Sequence, residues 1–220
     1  MIKSVLFLFH RWFMILTVVS LSLLSFLLSS CQKNQIAAPE AQEPCGYVQN
    51  VYGERISWKD QLPIPLYINN SVPEEYVPIV EKATQAWEKA AGKKLFQIMG
   101  RRPSSTPVKD GYSEIFYLQT WDQDKTTEQG RTSVYWVGDL IYEADIRINQ
   151  KDFQFFTAES GASSSQEVDI ESLLIHELGH VLGLKHKDSD GSVMATFLPG
   201  SVSRNQIATT DVEALKCEYK

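Results

Sequence analysis

Between residues 74 and 91 apolar side chains recur at spacings of three and four. Val77, Val80, Ala83, Trp87 and Ala90 would share one face of a helix. Pro78 is tolerated only in a first helical turn, so the helix is predicted to begin near Val77, with Gly92 ending it. A second periodic set, Leu173, Leu174, Leu178, Val181 and Leu182, predicts a helix packed into the core. Asp169 can cap it by accepting hydrogen bonds from its first free N–H groups. Thr210 and Asp211 open a last predicted helix ending near Tyr219. Shorter β-prone runs fill the interval: residues 66–68, with Pro63 and Pro65 before that strand marking its edge, then 95–99, 113–121, 131–137 and 141–149. Gly138-Asp139 joins the last two. Residues 101–111, with Pro103 and Pro107, and the polar stretch 122–130 read as loops, and 161–165 as a flexible lead into the second helix. No internal repeat is found.

That second helix carries the chemistry. His176, Glu177, His180, Gly183 and His186 form one H-E-x-x-H-x-x-G-x-x-H string, and Met194 follows it. The chain has four histidines, and the fourth, His10, lies in the N-terminal apolar segment, so every other imidazole falls in this window. Residues four apart lie on one helical face, so His176 and His180 can point at one ion. Glu177 stands about 100° around the helix, near the ion without ligating it. Gly183 can take the positive φ that ends the helix and turns the chain back, delivering His186 as a third nitrogen. Three protein ligands leave a fourth position open, which distinguishes a catalytic zinc from a structural one. An H-E-x-x-H string alone could be a solvated helical face, and Met194 alone a core methionine. The full register of Gly183, His186 and Met194 argues against coincidence.

These residues resemble the metzincin clan of zinc endopeptidases, and within it the matrixins, whose interval from third histidine to methionine matches His186 to Met194. Lys187 stands where matrixins usually carry Ser or Thr, and Ala195-Thr196-Phe197-Leu198-Pro199 replaces their usual aromatic and proline after the methionine. Thr196 is not the extra tyrosine ligand of astacins and serralysins. The resemblance implies an α+β fold: one metzincin-like domain with a twisted, mostly parallel sheet of about five strands on two long helices. A small C-terminal subdomain with a terminal helix would follow Gly183. It also implies a substrate laid along the sheet's edge strand, with residues 131–137 the candidate edge, and a pocket for the residue after the cut walled by 197–201. One catalytic Zn2+ is the implied cofactor. Asp122, Asp124 and Glu128 offer oxygens to calcium, but no D-x-D-x-D-G loop is present and a solvated charged loop is the simpler reading. Asp188 and Asp190 could orient an imidazole, or simply form turns.

Residues 1–30 read as a targeting segment, with Lys3 and Arg11 flanking its start and an uncharged apolar run from 12 to 28. An ordinary signal peptide and an uncleaved membrane anchor are rivals. Leu28-Ser29-Ser30-Cys31 is similar to a bacterial lipoprotein cleavage box, which implies a lipidated Cys31 and a place on the cell envelope, the outer membrane favoured by Gln32. Residues 31–44 would be a tether and 45–220 the catalytic domain. Losing Lys3 and Arg11 with that segment takes the formal charge from −6 to −8, which argues against nucleic acid as a partner. Cys45 and Cys217 then remain. An oxidising compartment favours a bridge between them. The rival is inhibitory: Cys45-Gly46 faintly resembles the matrixin switch whose thiolate caps the zinc.

The function expected is a monomeric, lipid-anchored zinc endopeptidase acting on peptide or protein substrates, with Glu177 as general base. One alternative is a catalytically silent, zinc-containing lipoprotein that binds peptides or envelope proteins. Another is a processing factor with one narrow substrate.

Overall fold

A computed structural model describes residues 41–220 apart from Ser105 and Asp190. The targeting segment, Cys31 and most of the tether therefore lie outside the described residues. Strand β1 (Ile64–Asn69) is followed by a 3-10 turn (Glu74–Tyr76) and helix α1 (Val77–Ala91). Pro78 does fall in the first turn of α1, and Gly92 ends it with a left-handed φ of 71°. Next come β2 (Phe96–Arg102), β3 (Ser113–Leu118), β4 (Gly130–Val137) and β5 (Leu140–Asn149). Two short strands, β6 (Phe155–Phe156) and β7 (Val168–Asp169), precede helix α2 (Ile170–Val181), and helix α3 (Thr209–Leu215) closes the fold.

The main sheet has the order β2-β1-β3-β5-β4. Its first four strands are parallel, and β4 pairs antiparallel with β5. This is the α+β arrangement expected, with β4 at one free edge. Pro63 and Pro65 bracket the first residue of β1, which lies inside the sheet between β2 and β3. Pro65 is accommodated because β3 joins only from Leu66 onward, so the strand start has one neighbour. β2 runs on to Arg102, into residues read as loop, while β3 stops at Leu118. The last helix ends at Leu215 rather than near Tyr219, because Cys217, Glu218 and Tyr219 turn inward to the core and the N-terminal segment.

The core lies between the sheet and the two long helices. Ile64, Leu66, Ile115 and Ile146 meet Val80, Ala83, Leu174 and Leu178, all 0–1% exposed. Trp87 of α1, also fully buried, donates its indole N–H to Ile175 O at 2.8 Å. That bond fixes α1 against α2 and satisfies the one polar atom of the largest core side chain. The C-terminal carbonyls of α2 are buried and would otherwise lack partners. Trp58 Nε1 donates to Val181 O and Tyr219 Oη to Leu182 O, both at 2.8 Å. Both ends of the described chain therefore close over the end of this helix.

The disulfide does the same covalently. Cys45 is bonded to Cys217, with Cα atoms 6.4 Å apart. The bridge is the reading the structure supports, and the Cys45 sulfur is not at the histidines.

Candidate metal centre

Helix α2 starts as the sequence suggests: Asp169 Oδ1 accepts from Glu171 N at 3.0 Å. The helix then presents His176 and His180 on one face, and Gly183, with φ 96°, reverses the chain. A Cβ at Gly183 would collide with Ile56 O, so the turn is closed to larger residues by packing as well as by backbone conformation. His186 follows on the return segment. One ligand atom from each of His176, His180 and His186 can lie within 4.8 Å of the other two.

Ring orientation is fixed by backbone carbonyls. His176 Nδ1 lies 2.8 Å from Val193 O, and His180 Nδ1 lies 2.7 Å from Leu184 O. A carbonyl can only accept, so each Nδ1 carries the proton and each Nε2 presents a lone pair. Those two Nε2 atoms are 3.1 Å apart. Two lone pairs at that separation repel, unless a cation lies between them. Burial adds to this by disfavouring charge, holding both imidazoles down at about 4. At neutral pH the pair is therefore uncharged, buried and electron-rich. Nitrogens tetrahedrally placed around zinc would stand ~3.3 Å apart, so the donor set fits that ion.

The turn beneath the site is equally constrained. Asp211, 1% exposed, accepts from Ser192 Oγ at 2.6 Å and Val193 N at 2.9 Å. It thereby holds the carbonyl that orients His176. Met194 is buried, and a Cβ at Gly179 would strike its sulfur, which accounts for a glycine inside α2 despite its cost to helix stability. The hydrogen-bond geometry makes Asp211 more than the helix-opening residue the sequence suggested.

Glu177 is 3% exposed and lies against β4. Thr132 Oγ1 donates to its Oε2 at 2.6 Å. A Cβ at Gly130 would lie 2.6 Å from Oε1, so the absent side chain keeps that oxygen open. Desolvation raises the Glu177 pKa above the usual carboxylate range, while His180 and the Thr132 hydroxyl pull it back. Glu177 and all three histidines line one cleft of about 710 Å³, with Gly130, Thr132 and Val134 along one wall and Phe197 and Leu198 at one end. Neither Thr132 nor Gly130 carried a local sequence signal for this role.

Other acidic candidates have other duties. Asp122 Oδ2 and Glu128 Oε2 pair with Arg131 at 2.9 and 2.5 Å. Asp188 accepts from Thr196 N at 2.8 Å and Thr196 Oγ1 at 3.0 Å, so it acts as a turn former rather than as a partner of an imidazole. Asp190 lies outside the described residues.

Comparison with known proteins agrees with this architecture. Residues 67–220 match the peptidase M10 family described as Matrixin. A stretch of 52 residues is 35% identical to Metalloendoproteinase 5-MMP of Arabidopsis thaliana, covering 24% of this chain and 14% of that protein.

Proposed function

The chain belongs to the matrixin family, and from that premise we propose that it is a zinc-dependent endopeptidase. The observation that carries the proposal is the convergence, in one cleft beside a free sheet edge, of three imidazoles and a buried carboxylate. His176, His180 and His186 would hold the ion. Zinc supplies a Lewis acid for a peptide carbonyl and lowers the pKa of water to about 7.

The remaining steps belong to the protein. Val193 O and Leu184 O keep Nδ1 protonated on two histidines, so the ligating nitrogens need no tautomer change. Glu177, open at Oε1 and steadied by Thr132 at Oε2, takes a proton from the attacking water and returns it to the departing amine. The unpaired edge of β4 offers main-chain donors and acceptors along which an extended peptide can add as a further strand. The aligned base argues against the silent binding lipoprotein, since binding alone needs no carboxylate at that point. Purified protein is expected to cleave members of a diverse peptide library. Cleavage should stop on chelation and return with added zinc, and activity that survives complete removal of metal would overturn the reading.

Cys31 supplies a separate proposal, that a lipid anchor holds the domain at the cell envelope. Among the described residues no helix is long and apolar enough to cross a membrane. Metabolic labelling with a radioactive fatty acid is expected to mark the wild-type chain and not Cys31→Ser. Equal labelling of the two would reject lipidation at this position.

A further inference from the structure

Residues 45–58 precede the part of the chain that matches the family, yet they help to build the cleft. Val48 and Ile56 line the same space as Glu177 and the histidines. They belong to a hairpin paired through Gln49 and Arg55. Its first arm lies antiparallel to the segment leading to His186. Val48 N donates to Gly183 O at 3.0 Å, and Lys185 N donates to Gly46 O at 2.8 Å. Its second arm lies beside the β4–β5 turn, with Ser57 N donating to Asp139 O at 3.0 Å. The tip reaches the same turn through Asn50 Nδ2, 3.1 Å from Gly138 O. Cys45 and Trp58 anchor the two ends to the C-terminal segment and to α2. The hairpin is thus fixed on both arms, at its tip and at both ends.

Its place along the cleft follows from β4. Gly130 and Thr132 face Glu177, so chemistry occurs beside the start of that strand. Thr132, Val134 and Trp136 line the cleft in alternation, and the four steps from Thr132 to Trp136 span ~13 Å. At the opposite end Gln129 Nε2 donates to Leu198 O at 2.9 Å, tying the Phe197–Leu198 wall to the start of β4. If the residue after the cut lies against that wall, as the family resemblance implies, the hairpin end receives the residues before the cut. Val48 is 40% exposed and Trp136 44% exposed, and the hairpin contributes no charged side chain to the cleft lining. Burying these exposed apolar surfaces favours an apolar partner.

We propose that the hairpin is a specificity element. Val48 and Trp136 form an apolar subsite that selects protein substrates with a bulky aliphatic or aromatic side chain three or four residues before the scissile bond. The proposal rests on the endopeptidase reading above.

The test uses the full-length, disulfide-intact chain in detergent with zinc, and a library of twelve-residue peptides whose cut sites are read by mass spectrometry. The wild type is expected to favour Leu, Ile, Phe or Tyr at that position. Val48→Asp is expected to reduce this preference about 10-fold, as loss of a hydrophobic contact does, and to admit Lys or Arg there. Its preference for the residue after the cut should persist. Val48→Thr, which preserves shape, should give a smaller shift of the same sign, and Val51→Ser, outside the cleft lining, none. Melting midpoints confirm that each variant is folded. Wild-type indifference at this position, or an unchanged profile in folded Val48→Asp, overturns the proposal. The same library is also panned for binding on zinc-loaded Glu177→Ala with and without Val48→Asp. Apolar selection in binding without any cutting by the wild type would keep the subsite and reject the endopeptidase. Neither cutting nor selective binding would reject both.

Discussion

Glu177→Ala is expected to retain its zinc and to lose about 10²–10⁴-fold in kcat/KM, the range attributable to a positioned general acid–base. Three imidazoles are available to hold the ion, and the Nδ1 anchors of His176 and His180 do not involve Glu177, so metal content should be unchanged. The loss should fall on kcat. Ground-state binding along β4 uses main-chain groups that the substitution leaves in place, so KM should move little. Folding should not suffer either. The carboxylate is buried and its charged form disfavoured by desolvation, so removing it relieves a cost. Glu177→Gln, which keeps an acceptor for Thr132, should be as inactive as the alanine variant. This separates proton transfer from mere packing. Metal analysis with steady-state kinetics checks the set, and a zinc-loaded Glu177→Ala enzyme with wild-type kcat/KM would end the assignment of this residue as the base.

The histidines and Glu177 were legible in the sequence because their relation is local. A helix repeat places residues 176 and 180 together, and a glycine at 183 turns the chain. The long helices were legible for the same reason, with Pro78 and Gly92 bounding α1. What stayed hidden depends on which strand lies beside which. Thr132 is 45 residues from Glu177, and nothing in its neighbourhood marks it until β4 is placed at the sheet edge. Asp211 looks like a helix-opening residue until its carboxylate is seen on Ser192 and Val193. Val48 and Ile56 sit in a stretch with weak periodicity, where only pairing with 183–185 and 140 gives them a role.

Removing the Cys45–Cys217 bridge, by the paired Ser substitutions or by reduction, is expected to lower stability by about 2–4 kcal/mol. For a domain of this size that is a fall of roughly 5–15 °C in melting midpoint. The bridge joins residues 172 apart, so the unfolded chain it constrains includes nearly the whole domain. Nearby ion pairs cannot substitute for it. Arg55–Glu218 and Lys59–Glu218 tie the same two segments, but their side chains are largely shielded from solvent, and the cost of desolvating such charges offsets most of their attraction. The loss should also be felt locally. Cys45 precedes Gly46, whose carbonyl receives Lys185 N, and the same strand-like contact holds Leu184, whose carbonyl orients His180. A loosened hairpin therefore weakens the support of His180 and His186, two of the proposed ligands, as well as the cleft wall. The Ser/Ser variant should give up zinc to a competing chelator more readily than the wild type at a temperature where both are folded. A melting midpoint that falls without any change in zinc retention would confine the bridge to global stability. An unchanged midpoint would show that Trp58 and Tyr219, closing over the end of α2 through their own hydrogen bonds, suffice without it.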